Sequence, residues 1–442
     1  MNELVNYLEQ SFLKIKFKKN CHFLVGVSGG IDSVVLGHAL SNLKLHYPFD
    51  LSFIYVDHQL NPESKYWATS VKKLAKKLSV EFIYEKVSLD QDLKLGIEGA
   101  ARKLRYQAFH KYQKDILVLA HHGDDQLETL LLQLARGAGS KGLSCMSEYQ
   151  HNTKIWRPFL GLSKQFINDY QRACKLKFIQ DPSNSDNKYD RNYLRNKVLP
   201  LVKKRFPQFT NTAGRSIKHI ADSYNYQNAM AEELYKDVSE SDNQLNGQKL
   251  KKLSDYEIGN VIRYWLNEHQ ILMPSVKVLG QIVSQVKKIN LESQINIKVD
   301  GMCIRTYNNS LFLIENIEIS LEKFVWKNQK KINFSDNTII IISKKLGQGI
   351  SYEALKTNKV EIDKPINMNA KLKIHPNQPA RTLKYLFQKN NIPPWERKNY
   401  PVIYLNKKII CIPEIATDIN FLCEGREAGL SFEIHKNIKL RL

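Results

Sequence analysis

The chain has 442 residues, too many for one typical core, so two or three domains are expected. Lys and Arg total 66 against 44 Asp and Glu, a formal net charge of +22. Such a surplus favours a polyanionic partner, nucleic acid being the commonest, although a generally lysine-rich composition gives the same sum. Six cysteines (Cys21, Cys145, Cys174, Cys303, Cys411, Cys423) form no C-x-x-C pair. That scatter argues against a zinc ribbon, an iron–sulfur site or a disulfide framework. The opening MNELVNYLEQ lacks the apolar core of a signal peptide, and no run is long enough to span a membrane. A soluble, cytosolic protein is expected.

Phe23–Val27 is a short apolar run of the kind that forms a buried parallel strand. Ser28-Gly29-Gly30 breaks it, and spacing suited to a helix resumes over Ser33–Leu43. Leu51–Val56 is a second strand, ending at Asp57-His58. Asn61-Pro62 starts a helix to about Leu78, with Asn as N-cap and Pro in the first turn. Glu81–Val87 is a third strand, Glu98–Tyr112 a helix, and Ile116–Ala120 a fourth buried strand. Asp124–Leu134 is a helix stopped at Gly137. This alternation implies a parallel sheet with helices on both faces and ligands at the carboxyl ends of the strands. Ser28–Ser33, Asp57-His58 and His121–Asp125 thus converge on one rim.

Further on, Asp181-Pro182-Ser183-Asn184 reads as a turn before a helix Tyr189–Leu199 carrying Arg191, Arg195 and Lys197. Arg191 and Arg195, four apart near Tyr193, make a basic face suited to nucleic-acid phosphate or a splayed base. A solvated basic helix is the alternative. Thr210–Tyr235 reads as one long amphipathic helix, with Ile258–Leu266 and Val276–Val286 as two more. Strands Ile295–Val299, Met302–Tyr307 and Leu311–Ile314 are joined through Asp300-Gly301 and Asn308-Asn309 turns. A last, mostly β domain begins at about Asp336. In it a helix Ala380–Lys389 carries Arg381 and Lys384, and Pro393–Arg397 is a rigid turn with an aromatic and a cation, Arg397. The expected domains are 1–209, 210–335 and 336–442.

A strand, a Gly-rich turn and a helix N-terminus form an anion site, because glycine admits close approach while free N–H groups and the helix dipole face one point. Asp32 would repel phosphate unless a cation lies between, so it reads as a Mg²⁺ ligand bridging to a nucleotide. The loop is not the Gly-Lys-Ser/Thr P-loop, since Ile31-Asp32-Ser33 offers no lysine. A Gly-rich turn with no ligand is the alternative. In HHGDDQLET, Asp125 and Glu128 lie three apart on the incoming helix and share one face. With Asp32 they suit a divalent cation or a cationic substrate. His121 and His122 invite a transition-metal reading, but carboxylates outnumber them and no thiol joins, which favours Mg²⁺ with ATP. Helix N-capping is the bland role for Asp124-Asp125.

SGGIDS resembles the signature of the PP-loop, or N-type ATP pyrophosphatase, enzymes. In that family the loop, here Ser28, Gly29, Gly30, Ile31, Asp32 and Ser33, holds the pyrophosphate end of ATP while a substrate oxygen is adenylated. SGGIDS, VDHQL, GIEGAARKLRY, LAHHGDDQLETLLLQLARGAG, RPFL and DPSNSDNKYDRNYLRNKVLP follow in order. Together they resemble the tRNA(Ile)-lysidine synthetases over roughly the first half of the chain. RTLKYLFQKNNIPPWERKNYP, Arg381–Pro401, extends the likeness near the C-terminus. GDDQ stands where the family more usually has ADDQ, a small-for-small change. Between about Thr210 and Ile374 the likeness is one of length and position.

The resemblance implies an α/β protein. Its N-terminal parallel-sheet PP-loop domain is adenine nucleotide alpha hydrolase-like, followed by a small α/β middle domain and a mostly β C-terminal domain that grips tRNA away from the anticodon. It also implies a reaction: the wobble cytidine of a tRNA(Ile) with anticodon CAU is adenylated by ATP, and the amine of L-lysine then displaces AMP. Asp32, Asp125 and Glu128 would line the reaction centre, with Asp57 and His58 beside the ATP. Arg102 matches an active-site arginine able to hold a phosphate bidentately, a solvated helix-face charge being its alternative. Arg191, Arg195, Arg381, Lys384 and Arg397 would meet tRNA. A homodimer is compatible with the sequence. Two other readings remain: a tRNA thiolase of the same superfamily, for which the cysteines offer no obvious sulfur carrier, and a catalytically silent tRNA-binding protein, against which the joint presence of the three carboxylates argues.

Overall fold

Five residues, His22–Gly26, form strand β1, and its Phe23, Leu24 and Val25 are fully buried, as a run covered on both faces requires. The computed structural model describes residues 3–59, 61–88, 96–291, 293, 295–315, 323–335, 338–356 and 358–436. Leu60 of the VDHQL motif and Asp336 at the expected boundary lie outside the described residues. Around β1 the order is α1 (Glu3–Ile15), α2 (Ile31–Leu43), β2 (Asp50–Asp57), α3 (Ser64–Lys77), β3 (Glu81–Lys86), α4 (Gly96–Tyr112), β4 (Ile116–Val118) and α5 (Gly123–Ala135). Then come α6 (Ser140–Leu143), β5 (Tyr149–Gln150), β6 (Ile155–Trp156) and α7 (Lys164–Ala173).

The strands lie in the order β3-β2-β1-β4-β6-β5. β1 pairs in parallel with β2 on one side and β4 on the other, Phe23 facing both Leu51 and Ile116. β5 runs antiparallel to β6 at the edge. The connections therefore leave β1 in opposite directions, and the crevice of an open α/β sheet falls between β1 and β4 at their carboxyl ends. Residues 28–33 border one side of it and residues 121–125 the other. The expected convergence of these motifs on one rim is what the strand order produces.

One face of the sheet is closed by aromatics. Trp156 is fully buried, its ring centroid 5.0 Å from Phe17 and 5.5 Å from Phe23. Its Nε1–H donates to Ser11 Oγ at 3.1 Å, which ties α1 to β6. A glycine inside α2 has a packing reason: a Cβ on Gly37 would stand 2.7 Å from the Phe53 ring of β2.

The chain forms two compact units, Met1–Ala229 and Met230–Leu442, and helix α10 (Phe209–Val238) begins in the first and ends in the second. In the second unit, strands Ser239–Ser241, Gln244–Asn246, Ser310–Glu315, Met302–Tyr307 and Asn296–Val299 make an antiparallel sheet in that order. The helices Asp255–Glu268 and Val276–Lys287 share its core. Asn308 and Asn309 both take positive φ (46° and 64°), as the tight hairpin expected there requires. The rest of the unit holds a five-stranded and a four-stranded sheet, both antiparallel, with short helices. The mixed α/β class with a β-rich C-terminal part holds.

Three expectations need correction. Helix α3 begins at Ser64, because Asn61 Oδ1 accepts the Glu63 N–H at 2.9 Å and closes a turn ahead of it. The single helix expected over Tyr189–Leu199 is broken into α8 (Asp190–Tyr193), a π-helical turn Leu194–Val198 and α9 (Leu199–Arg205). Pro200 has no N–H to give the carbonyl of Asn196 and its ring crowds it, so the ladder widens there. The boundary placed between 335 and 336 separates Lys331–Ser335 from Thr338–Leu346, two strands paired in one sheet. No described helix is long and apolar enough to cross a membrane.

Trp156→Ala is expected to cost about 3–5 kcal/mol of stability, the usual range for emptying a buried Trp site. Chemical denaturation checks this, and an unchanged midpoint would contradict the place given to Trp156 in the core.

Candidate active site

The β1–α2 loop is shaped by one glycine and two serines. Gly29 has φ +87°, and its carbonyl accepts the Ile179 N–H at 2.9 Å. Ser33 Oγ donates to the Gly30 carbonyl at 2.9 Å and accepts the Ser28 N–H at 3.2 Å, so the hydroxyls brace the turn. Gly30 is the N-cap of α2 and supplies no side-chain acceptor. The first-turn N–H groups and the positive end of the helix therefore remain available to an anion.

Asp32, in that first turn, accepts a hydrogen bond from Lys164 Nζ at 2.5 Å. Lys164 opens α7 just after its N-cap Ser163. Opposite, His122 caps α5: its Nδ1 accepts the Asp124 N–H at 3.2 Å, and its own N–H donates to Asp125 Oδ2 at 3.0 Å. With Nδ1 an acceptor, the ring N–H is on Nε2. That atom faces Asp125 Oδ2 at 3.5 Å and Asp32 Oδ1 at 3.8 Å. Asp124 turns the other way, to Lys203 Nζ at 2.6 Å and the Thr210 hydroxyl at 3.3 Å.

Glu128 is 1% exposed, and a carboxylate so deep needs its charge matched. Arg195 Nε donates to Glu128 Oε1 at 2.6 Å and its Nη2 to Oε2 at 2.9 Å. Arg191 Nε reaches Oε2 at 2.7 Å. Both arginines also reach Asp125 Oδ1, Nη2 of Arg191 at 3.3 Å and of Arg195 at 3.2 Å. Burial alone would raise the Asp125 carboxyl, but His122 and Arg191 outweigh it and hold the group below the ordinary range. The two arginines expected to form a basic face for tRNA are engaged here by Glu128 and Asp125.

The remaining predicted residues divide. Asp57 Oδ1 accepts the Gln59 N–H at 2.8 Å and Oδ2 the Tyr84 hydroxyl at 2.6 Å, so it locks the end of β2. Beside it His58 is pushed down to about 4, by burial first and Arg105 second. His121 falls to about 3, mainly through burial, with Arg157, Arg191 and Arg102 adding to it against Asp125. Both rings are neutral near pH 7, with a buried Nδ1 that has no partner among the described residues. Arg102 is exposed on α4, its guanidinium 5.2 Å over the Tyr106 ring. In the second unit Arg381 stacks over Tyr385 at 5.0 Å on a two-residue strand, and the helix begins at Leu383 because the Thr382 hydroxyl caps it. Lys384 is exposed. Arg397 is engaged internally, donating to the Ile392 carbonyl at 2.7 Å and the Tyr307 hydroxyl at 3.1 Å.

No group of three His, Cys, Asp or Glu residues among those described is arranged to hold a metal. The three carboxylates do not share one cation, since two of them are taken by guanidinium groups. Sequence reasoning missed Lys164 and Lys203. Lys164 carries a weak signal, a lysine directly after an N-cap serine, but its partner is 132 residues away.

Residues 2–202 match the PP-loop domain, 245–312 the TilS substrate binding domain and 366–434 the TilS substrate C-terminal domain. A tRNA(Ile)-lysidine synthase from Actinobacillus pleuropneumoniae serotype 3 (strain JL03) is 33% identical over 415 residues, spanning 90% of this chain and 96% of that one. The chain belongs to the tRNA(Ile)-lysidine synthase family. Another tRNA(Ile)-lysidine synthase, from Legionella pneumophila (strain Lens), is 31% identical over 420 residues, 93% of this chain and 95% of that one. Among solved structures, a U34-tRNA thiolase from Methanococcus maripaludis aligns with a TM-score of 0.42 at 17% identity, over 50% of this chain and 79% of that one. For a tRNA(Ile)-lysidine synthase family member, the PP-loop match implies use of ATP.

If Glu128 and the two arginines act as one charge cluster, Glu128→Gln should cost clearly less stability in an Arg191→Ala/Arg195→Ala background than alone. A coupling of about 1–3 kcal/mol is expected from denaturation of the four proteins. Additive costs would contradict the cluster.

Proposed function

We propose that the chain ligates L-lysine to the wobble cytidine of a CAU-anticodon tRNA(Ile), using ATP, in the cytoplasm. The observation that carries this reading is a cavity of about 380 Å³ in which both signs of charge meet, lined in part by Asp32, His122, Glu128, Lys164, Arg195 and Lys203. A nucleotide triphosphate needs the cations, and an amino acid side chain bearing an ammonium group needs the anions. In the reaction the cytidine carbonyl oxygen attacks the α-phosphorus of ATP and pyrophosphate leaves. The lysine amine then adds at the ring carbon and AMP departs, a far better leaving group than the original oxygen. The product reads AUA in place of AUG.

The geometry supports a role for each residue within this reading. The loop Ser28–Ser33 and the N-terminus of α2 receive the pyrophosphate end, with Lys164 adding positive charge beside it. Asp32 alone fits Mg²⁺, which is commonly held by one or two carboxylates together with substrate phosphates. When bound, the ion supplies neutralisation of phosphate charge. Asp125 and Glu128 hold the cationic end of lysine once a guanidinium group gives way. Arg191 and Arg195 then turn to phosphate, of ATP or of the tRNA, which is the anion able to replace a carboxylate on a planar fork. In the second unit Arg381 and Lys384 meet a distal part of the tRNA, and Arg397 braces that surface through Tyr307.

No observation favours thiolation: burial pushes the Cys21 and Cys145 thiols up to about 11, so neither offers a thiolate near pH 7.

Pyrophosphate release should require tRNA, and Asp32→Ala should lower it on the order of a hundredfold or more while circular dichroism stays unchanged. Near-normal release from the folded variant would refute the role given to Asp32.

A further inference from the structure

Helix α3 is two-faced. Ser64, Trp67, Ala68, Val71 and Ala75 are buried against the sheet. The outward face carries five exposed lysines (Lys65, Lys72, Lys73, Lys76, Lys77) with exposed Tyr66, and the helix has no acidic residue. None of these ammonium groups has an acidic partner among the described residues. Lys72–Lys76 and Lys73–Lys77 are like-charge pairs four apart, an arrangement that disfavours an isolated helix. The helix dipole accounts for cations in the last turn, Lys76 and Lys77, but opposes Lys65 in the first. Among the described residues no acidic side chain pairs with this surplus.

The helix that carries this face packs against the nucleotide loop through its buried side. β2 ends at Asp57 just before α3, and Val71 and Ile179 both lie against Gly29 of the nucleotide loop, within 3.5 and 2.6 Å of where its Cβ would stand. Exposed Lys177 and Phe178 precede that Ile179. The lysine stripe Lys65–Lys72–Lys76 runs about 16 Å along the helix, enough to follow several phosphates of one strand.

We infer that the outer face of α3 is an RNA-backbone docking surface on the catalytic unit, which holds the anticodon arm while the wobble base enters the cavity. The inference rests on the tRNA-ligase reading and adds a contact surface to it. Its occupant is the tRNA phosphate backbone, because the face offers charge without groove-reading side chains and so positions without specifying sequence.

The test is a quadruple variant, Lys65→Gln, Lys72→Gln, Lys73→Gln and Lys76→Gln in the full chain, with the matching Lys→Arg protein as control. Binding of tRNA(Ile) is measured across a salt series, together with lysine incorporation. The Gln variant should lose about three units of the slope of log K against log salt, raise KM for tRNA roughly tenfold or more near physiological salt, and keep kcat at saturating tRNA. The Arg control should retain the wild-type slope. Unchanged slope and affinity in the Gln variant, with wild-type protein binding tRNA normally, would overturn the α3 surface alone. A wild-type chain that binds no tRNA would overturn both this surface and the ligase reading. Lost binding to anionic phospholipid vesicles with tRNA binding intact would assign the face to a membrane and overturn the RNA proposal.

Discussion

A carboxylate that is 1% exposed cannot stand alone, and Glu128 imposes that constraint on the catalytic unit. Its two oxygens are met by Arg191 and Arg195, which also bridge to Asp125. The pairing draws the segment after residue 190 onto α5 across 63 to 70 residues of chain. It also brings α9 alongside, where Lys203 meets Asp124. The floor of the cavity is therefore a charge-balanced cluster, anchored at one end by the cap of α5 and at the other by a π-helical turn. That turn carries Arg195, one of the two guanidinium groups on Glu128.

The opposite wall obeys the same electrostatics with the signs reversed. The end of α2 presents N–H groups to an anion, and Asp32 would oppose that anion were it not paired with Lys164. The switch point of the sheet sets the two walls face to face. An anion-binding loop and a buried carboxylate pair would repel one another's ligands if merged, yet adjacent they suit a reaction that joins a phosphate-activated base to an amine. His122 sits between them, its Nε2 turned to both Asp32 and Asp125 while its Nδ1 caps the helix N-terminus. The affiliation with tRNA(Ile)-lysidine synthases and the mixed charge of the cavity are separate observations, and both are compatible with the proposed reaction.

The sheet was legible because its information is local. Apolar runs, the glycine break at 28–30 and the hairpin turns at 300–301 and 308–309 act through φ, ψ and burial within a few residues. What stayed hidden was non-local. Arg191 and Arg195 read as a basic face for tRNA, because four-residue spacing describes a stripe but not the carboxylates that lie across from it. Lys164 drew no notice because its partner Asp32 is 132 residues earlier. Arg397 read as a surface cation, whereas Tyr307, 90 residues before it, takes its guanidinium. The break at 194–198 was readable in principle from Pro200, whose missing N–H removes one rung of the ladder. Domain limits were the least legible, since a strand pair such as Lys331–Ser335 with Thr338–Leu346 leaves no compositional seam.

The central claim is that this cavity joins lysine to a cytidine, and the product itself tests that most directly. Unmodified tRNA(Ile) with a CAU anticodon is incubated with the protein, ATP and lysine, digested to nucleosides and analysed by mass spectrometry. A lysine-sized adduct is expected on one cytidine, at the wobble position, and it should require both ATP and lysine. A sulfur-sized change, an adduct on another base, or unaltered tRNA despite ATP cleavage would contradict that claim.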